Sequence, residues 1–313
     1  MSTALLGFSL FFSASTTAAF GQVAPQKCQS ERVKLQMLGT RGPELLAGDT
    51  QASTGYLIWL DNKARVIIDA GPGSLQRFKQ SRANINDVEV MLFSHFHVDH
   101  SADFPAYIKG AFFSDRDKNL NVFGPSGTQF VASAEQFVDR AIGSKGGLYP
   151  YLGSYNDPSV PSRYKIKTKT IPWSYSDLNI KQIYNDKDIK VQSVPTHHGP
   201  FPSLAYRVEV AGCAISFSGD MSGRLGAVPD LAKGSDILVA HNAVPEDVTG
   251  VARNLHMKPS YIGRLAKEAN VKLLLLTHLM KRSLAVKDQS LKIIKKQYKG
   301  KVVMPKDLDV FHP

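Results

Sequence analysis

Four side chains of the types that bind metal ions stand within six residues, directly after an apolar run. The run is Val90–Phe93, and the cluster that follows is His95-Phe96-His97-Val98-Asp99-His100. A strand projects alternate side chains to one side, so the first two histidines share a face. A turn after the strand then brings the aspartate and the third histidine to a neighbouring point. This density of imidazole and carboxylate groups predicts a metal site, and two adjacent ions fit the pattern better than one.

The rest of the chain alternates short apolar runs with amphipathic stretches, which is typical of a layered α/β domain. Strands are predicted at 33–38, 55–60, 65–69, 89–94, 120–123, 189–195, 204–210, 213–218, 237–240 and 272–277. Helices are predicted at 74–80, 104–113, 127–142, 259–270 and 285–298. Residues 143–173 are rich in Gly, Pro, Tyr and Ser and are predicted to form a long loop. No repeat or flexible linker divides the chain, so one domain is expected over residues 23–313.

The composition is that of an ordinary globular protein, with 43% hydrophobic and 21% charged residues among 313. It excludes disordered, collagen-like and coiled-coil chains. Beyond the N-terminal segment no apolar run approaches the roughly 20 residues that cross a bilayer, so no membrane span is expected. Lys and Arg number 38 against 27 Asp and Glu, a net charge of +11.

This positive charge is concentrated at residues 163–169 and 281–301. These residues either form solvated faces or create a field that steers an anionic substrate toward the site. No nucleic-acid-reading motif accompanies the charge. We therefore expect a small anionic substrate and no sequence-specific nucleic-acid partner. The sequence leaves a homo-dimer open.

The N-terminal segment, residues 1–22, is predicted to be a secretory signal peptide. The first 26 residues carry no charged side chain, and an apolar block at residues 4–12 precedes a run of small residues. Thr17 with Ala19, or Ala19 with Gly21, suits the −3 and −1 positions of a cleavage site. The mature protein is therefore expected in the periplasm or outside the cell. In an oxidising compartment Cys28 and Cys213 are able to pair, but the sequence does not show their distance.

The histidine cluster resembles the H-x-H-x-D-H signature of the metallo-β-lactamase superfamily, and the resemblance extends over residues 33 to 282. Within the superfamily the chain is similar to the ribonuclease Z and arylsulfatase-like branch. The motifs that carry this similarity are Leu38-Gly39-Thr40-Arg41-Gly42-Pro43, Phe123-Gly124-Pro125-Ser126-Gly127, His198-Gly199-Pro200, Ala205-Tyr206-Arg207 and Ser218-Gly219-Asp220. The resemblance implies a single-domain, four-layer αββα sandwich.

The resemblance also implies a site for two divalent metal ions, with zinc as the first choice and manganese or iron as alternatives. The ligands it implies are His95, His97 and His198 for one ion, and Asp99, His100 and His278 for the other, with Asp220 bridging. The H-G-P motif selects His198 and leaves its neighbour His197 as a pocket residue. A water held between two such ions loses a proton near neutral pH and becomes the nucleophile.

Two residues are expected to act on the reacting groups. Asp99 is a candidate general base that orients the nucleophile as well as binding metal. His256 occupies the place of the histidine in the family's H-S-T-A motif, and is expected to protonate the leaving oxygen or hold an anionic oxygen. Where ribonuclease Z proteins have H-E-A-T, the chain has Ala240-His241-Asn242-Ala243, and His241 is interpreted as replacing the acidic residue. These departures and the export signal argue against tRNA maturation.

The sequence thus predicts an exported two-zinc hydrolase that cleaves a small anionic ester, either a phosphodiester or an aryl or alkyl sulfate. A lactonase or carboxylester hydrolase on the same fold is one alternative. A periplasmic metal-binding protein without turnover is the other, because a fold alone does not determine function.

Overall fold

The structure is a computed structural model that describes residues 27–313, together with Met1 and Thr3. The predicted signal peptide, residues 1–22, otherwise lies outside the described residues. The strands are β1 Val33–Gly39, β2 Gly55–Leu60, β3 Lys63–Ala70, β4 Val90–Leu92, β5 Leu120–Pro125, β6 Ile166–Ile171, β7 Lys181–Asn185, β8 Ile189–His198, β9 Phe201–Val210, β10 Cys213–Phe217, β11 Ile237–His241, β12 Leu273–Thr277, β13 Lys301–Val303 and β14 Val310–Phe311.

Helices and short 3₁₀ turns connect these strands. The helices are α1 Ser74–Gln80, α2 Val98–Ser101, α3 Phe104–Phe112, α4 Ala134–Ile142, α5 Val228–Leu231, α6 Gly250–Leu255, α7 Pro259–Glu268, α8 Lys281–Leu284 and α9 Lys287–Gln297. The 3₁₀ turns are Ser30–Arg32, Ile85–Asp87 and Pro150–Tyr155. No helix in the described part of the chain is long and apolar enough to span a bilayer.

The strands form two seven-stranded sheets, in the orders β14-β1-β2-β3-β4-β5-β6 and β13-β12-β11-β10-β9-β8-β7. In the first sheet β1 to β3 are antiparallel and β3 to β6 are parallel. The second sheet repeats the plan, with β7 to β10 antiparallel and β10 to β13 parallel. The two halves of the domain therefore have similar architecture.

The two sheets pack face to face, and helices cover their outer faces. Strand β2 shows the reason, since all six of its residues are buried. Tyr56 and Ile58 belong to the core between the sheets, whereas Leu57 and Trp59 pack in the core beneath the outer helices. Alternate side chains of a strand point to opposite faces, so a strand covered on both sides is apolar throughout. The predicted four-layer αββα sandwich is confirmed.

Two predicted segments differ most from the structure. Helix α4 begins at Ala134 instead of Gly127, because Ser133 caps it by accepting a hydrogen bond from the Gln136 N–H. The predicted loop at 143–173 contains the 3₁₀ turn Pro150–Tyr155 and the strand β6. Strand β6 is an edge strand whose lysines face solvent, so it lacks the apolar run of an internal strand.

The cysteine pairing that the sequence leaves open is formed. Cys28 and Cys213 make a disulfide across a separation of 185 residues. It ties the segment before β1 to the first residue of β10.

Candidate metal centre

The polar side chains predicted for the site meet at one edge of the sandwich, where several strands end. The cluster at 95–100 follows β4, and His198 is the last residue of β8. Asp220 follows β10, and His278 follows β12. The strands β8, β10, β11 and β12 run in the same direction, so their carboxyl ends share this edge. Such an edge is the usual place for a site in a layered α/β fold.

Three histidines form the first group of possible ligands. The Nε2 atom of His95 lies 2.9 Å from Nδ1 of His97, which lies 3.4 Å from Nε2 of His198. Burial lowers the pKa of all three imidazoles, to about 4 for His198. Neutral imidazole is the form that binds metal, and three such nitrogens around one point suit a zinc ion.

Asp99, His100 and His278 form the second group. The Oδ2 atom of Asp99 lies 3.1 Å from Nε2 of His278 and 3.4 Å from Nε2 of His100. Nε2 of His100 is buried and has no hydrogen-bond partner among the described residues. A buried imidazole nitrogen without a partner is costly unless it binds a ligand, so its surroundings fit a metal ion.

Asp220 lies between the two groups. Its Oδ2 atom is 3.3 Å from Nε2 of His278, and 3.7 Å from Nε2 of both His100 and His198. Burial opposes ionisation of this carboxyl group, but the imidazoles of His278 and His256 outweigh it and hold its pKa well below the ordinary value. One ionised oxygen therefore faces ligands of both groups, as a bridging carboxylate must.

A further aspartate, Asp69, supports the second group and was not singled out from the sequence. Its Oδ2 atom lies 2.8 Å from Nδ1 of His100, and its Oδ1 accepts the N–H of Ser94 at 2.7 Å. A carboxylate on one imidazole nitrogen directs the other toward a metal. The signal in the sequence is an acidic residue at the end of the apolar strand β3. Asp69 and His278 both have positive φ, 55° and 54°, a strained conformation that concentrates at functional sites.

His241 supports Asp220 from the other side. Its Nδ1 lies 2.7 Å from Oδ1 of Asp220, the oxygen opposite the one that faces the ligand groups. Its Nε2 lies 2.9 Å from the hydroxyl of Tyr56, which lies 2.7 Å from Oγ1 of Thr277. His241 therefore positions Asp220, and the sequence pattern carried no signal for the roles of Tyr56 and Thr277.

His256 and His197 occupy different surroundings. Nδ1 of His256 is buried 3.7 Å from Oδ2 of Asp220, without a hydrogen-bond partner among the described residues. Burial lowers the pKa of His256 to about 3. His197 lies outside both groups, with its Nδ1 2.8 Å from Oγ of Ser222 and its ring stacked on Tyr175. The structure thus brings together all seven predicted ligands and His256, and leaves His197 at the side.

Two of the basic residues at 163–169, Arg163 and Lys165, make structural contacts outside these groups. Nζ of Lys165 donates to the backbone carbonyls of Ser154 and Asp157, both at 2.8 Å. Arg163 pairs with Asp115 on the surface. Lys167 and Lys169 lie exposed on β6.

A family model described as "Beta-lactamase superfamily domain" matches residues 64–279, which include all seven predicted ligands. The chain belongs to the metallo-β-lactamase superfamily. The predictions of this superfamily and of a metal-dependent hydrolase acting on ester bonds are confirmed.

The curated proteins to which this chain is similar include ribonuclease Z of Methanosarcina mazei. It is 24% identical over 247 residues, which cover 69% of this chain and 78% of the relative. The metallo-β-lactamase fold protein YhfI from Bacillus subtilis has a TM-score of 0.68 at 21% identity, covering 90% of this chain and 99% of that one. The short form of human tRNase Z has a TM-score of 0.66 at 18% identity, covering 89% and 98%.

These relatives correct one prediction. The expectation that this hydrolase has no sequence-specific nucleic-acid partner is wrong, because curated relatives along most of the chain are named ribonuclease Z. The physical reason is that a hydrolase of ester bonds acts on the bond itself. A hydrolase therefore needs none of the base-reading motifs whose absence led to that expectation.

Proposed function

We propose that this hydrolase is a phosphodiesterase with two divalent metal ions, and that zinc is the first choice of metal. The observation that carries the proposal is the position of Asp220, whose Oδ2 faces His198 of the first group and both His100 and His278 of the second. Similarity to proteins named ribonuclease Z supports a phosphodiester as the bond cleaved, and makes RNA a substrate to test.

Each residue of the centre has a defined part in this proposal. The two ions, when bound, supply Lewis acidity and lower the pKa of a water molecule. His95, His97 and His198 would hold one ion, and Asp99, His100 and His278 would hold the other, with Asp220 facing both groups. We also assign Asp99 to accept a proton from the nucleophile. His256 presents its unpartnered Nδ1 beside the shared oxygen, and we assign it to hold an oxygen of the substrate or leaving group.

Metal analysis and turnover together test this function. Purified protein loaded with zinc is assayed with bis(p-nitrophenyl) phosphate, p-nitrophenyl sulfate, a lactone and a short RNA. We expect two ions per chain and metal-dependent cleavage of a phosphodiester. The variant Asp220→Ala is expected to lose at least one ion and its turnover, because the shared ligand is gone.

A matched control is Asp236→Asn, which alters a buried aspartate at the other end of β11. It should keep both ions and its turnover. Wild-type protein that holds two ions but cleaves only the sulfate or only the lactone contradicts the phosphodiester assignment. Unchanged metal content in Asp220→Ala contradicts the shared ligand.

We also propose that the protein is exported to the periplasm or secreted. The disulfide between Cys28 and Cys213 supports this, because such bonds persist mainly in oxidising compartments. Cell fractionation should find the protein outside the cytoplasm, and sequencing of its N-terminus should begin between residues 20 and 23. A cytoplasmic protein that keeps residues 1–22 and has free thiols contradicts the proposal.

A further inference from the structure

We propose that a cavity beside the first histidine group receives a planar aromatic group carried by the phosphate ester. The inference rests on the proposed function, since it names the kind of substituent that the substrate bears. The cavity has a volume of about 350 Å³, and His95 and His97 form part of its wall. A group that fills it therefore lies next to two of the proposed metal ligands.

Aromatic side chains make most of the cavity wall. Phe201 lies against the ligand His97, with ring centroids 4.2 Å apart and edge-to-face geometry. Phe96 and Phe137 stack on each other at 4.5 Å and form a second wall. Phe137 also contacts Phe104 of the core beneath the outer helices, so this wall is firmly supported.

Phe130 completes the cavity at its mouth. Its side chain is 86% exposed, although it lines the cavity. The hydroxyl of Thr128 accepts hydrogen bonds from the N–H groups of Phe130 and Val131, at 3.2 and 3.1 Å. Because this ring lines the cavity and is exposed, it is able to contact a group that enters the cavity.

The motif Phe123-Gly124-Pro125-Ser126-Gly127, which the metal centre does not use, builds this cavity. A Cβ atom on Gly124 would lie 2.6 Å from Cζ of Phe96, so only glycine leaves room for that ring. A Cβ atom on Gly127 would lie 2.5 Å from the carbonyl oxygen of Val131. The second glycine thus permits the turn that places Phe130 at the mouth, and two positions of one motif shape the same cavity.

The lining favours a planar ring over an alkyl chain. Phenylalanine faces and edges stack on aromatic rings, and each such contact with a base contributes about 1–3 kcal/mol. Arg140 is exposed at the cavity, and its planar guanidinium also stacks on aromatic rings. The ring has two chemical sources, a nucleobase of RNA or an aryl group of a small ester, and the experiment separates them.

Direct binding to metal-loaded protein tests the cavity independently of turnover. Calorimetry measures the Kd for methyl phosphate, phenyl phosphate and uridine 5′-monophosphate. At least one aromatic ester should bind about 5- to 150-fold more tightly than methyl phosphate, which corresponds to one stacking contact. Tighter binding of the uridine ester indicates a nucleobase, and tighter binding of the phenyl ester indicates an aryl group.

Phe130→Ala should remove this preference and leave the Kd for methyl phosphate unchanged. The matched control is Phe113→Ala, which removes a ring that is 77% exposed on the surface and does not line the cavity. It should keep the preference. Equal Kd values for all three esters, an undiminished preference in Phe130→Ala, or no binding of any ester overturns the inference. An aromatic preference without phosphodiester turnover leaves the cavity assigned and rejects the proposed function.

Discussion

At the scale of single residues, substitution of Asp69 tests whether its hydrogen bonds orient the proposed metal ligand His100. It accepts hydrogen bonds from the Oγ of Ser94 and from Nδ1 of His100, both at 2.8 Å. Asp69→Asn keeps the shape of the side chain but removes its charge. Asn, like Asp, also tolerates the positive φ at this position. We expect metal affinity to fall about 10- to 100-fold, measured by competition with a chelator.

The control for this prediction is again Asp236→Asn. Asp236 is buried and accepts hydrogen bonds from the Ala214 N–H and from Lys272, far from the ligand groups along β11. Its replacement should lower the free energy of unfolding and leave metal affinity unchanged. Equal losses of affinity in both variants would show that Asp69 acts only through general stability.

At the scale of secondary-structure elements, Gly71 allows two segments of the site to touch. It follows β3, and a Cβ atom there would lie 2.1 Å from the carbonyl oxygen of Asp99 in α2. Gly71→Ala must therefore displace α2, which carries Asp99 and His100. We expect thermal unfolding to show a loss of about 1–3 kcal/mol, and metal analysis to show fewer ions per chain.

Gly110→Ala is the matched control within α3. No atom lies within 4 Å of its added Cβ. Alanine in a helix interior is more stable than glycine, so this variant should gain about 0.5–1 kcal/mol and keep both ions. Wild-type metal content in Gly71→Ala would mean that α2 is free to shift without disturbing its ligands.

At the scale of the whole molecule, the proposed ions join the two halves of the sandwich. The cluster at 95–100 belongs to the first sheet, whereas His198, Asp220 and His278 belong to the second. Ions that bind only the folded chain stabilise it, by about 2.7 kcal/mol for one site when free metal is 100 times Kd. Chelation should therefore lower the Tm, and zinc should restore it. A Tm that does not respond to metal contradicts this coupling.

The disulfide lies at the end of the second sheet opposite to the proposed metal centre, and it also stabilises the fold. Cys28→Ser opens a covalent loop of 185 residues, and should lower the free energy of unfolding by about 2–4 kcal/mol. Metal content should stay the same, because Cys213 begins β10 whereas Asp220 follows its end. Urea unfolding with and without reductant measures the effect, and the reductant should not affect the variant. A loss of metal on reduction would contradict this separation.

Sequence patterns predicted most internal elements of this molecule, because strands buried on both faces are apolar runs of clear length. They did not predict β6, whose alternating lysines and threonines resemble a polar loop, nor the short strands β7, β13 and β14. The start of α4 was predicted too early, although Ser133 with Gln136 three residues later is a capping-box pattern. The capping bonds at Ser133 then set the boundary.

Residue types and their order along the chain were enough to name the ligand cluster, because His, Asp and short spacings are local properties. The contacts of Asp69 with His100, of Tyr56 with His241 and of Phe201 with His97 were beyond such patterns. Each joins residues 31 to 185 positions apart, and depends on strand register and on how the sheets pack. The sequence by itself therefore determined which residues carry the chemistry of the site. The tertiary structure alone decided which atoms face one another, because those contacts depend on how the two sheets pack.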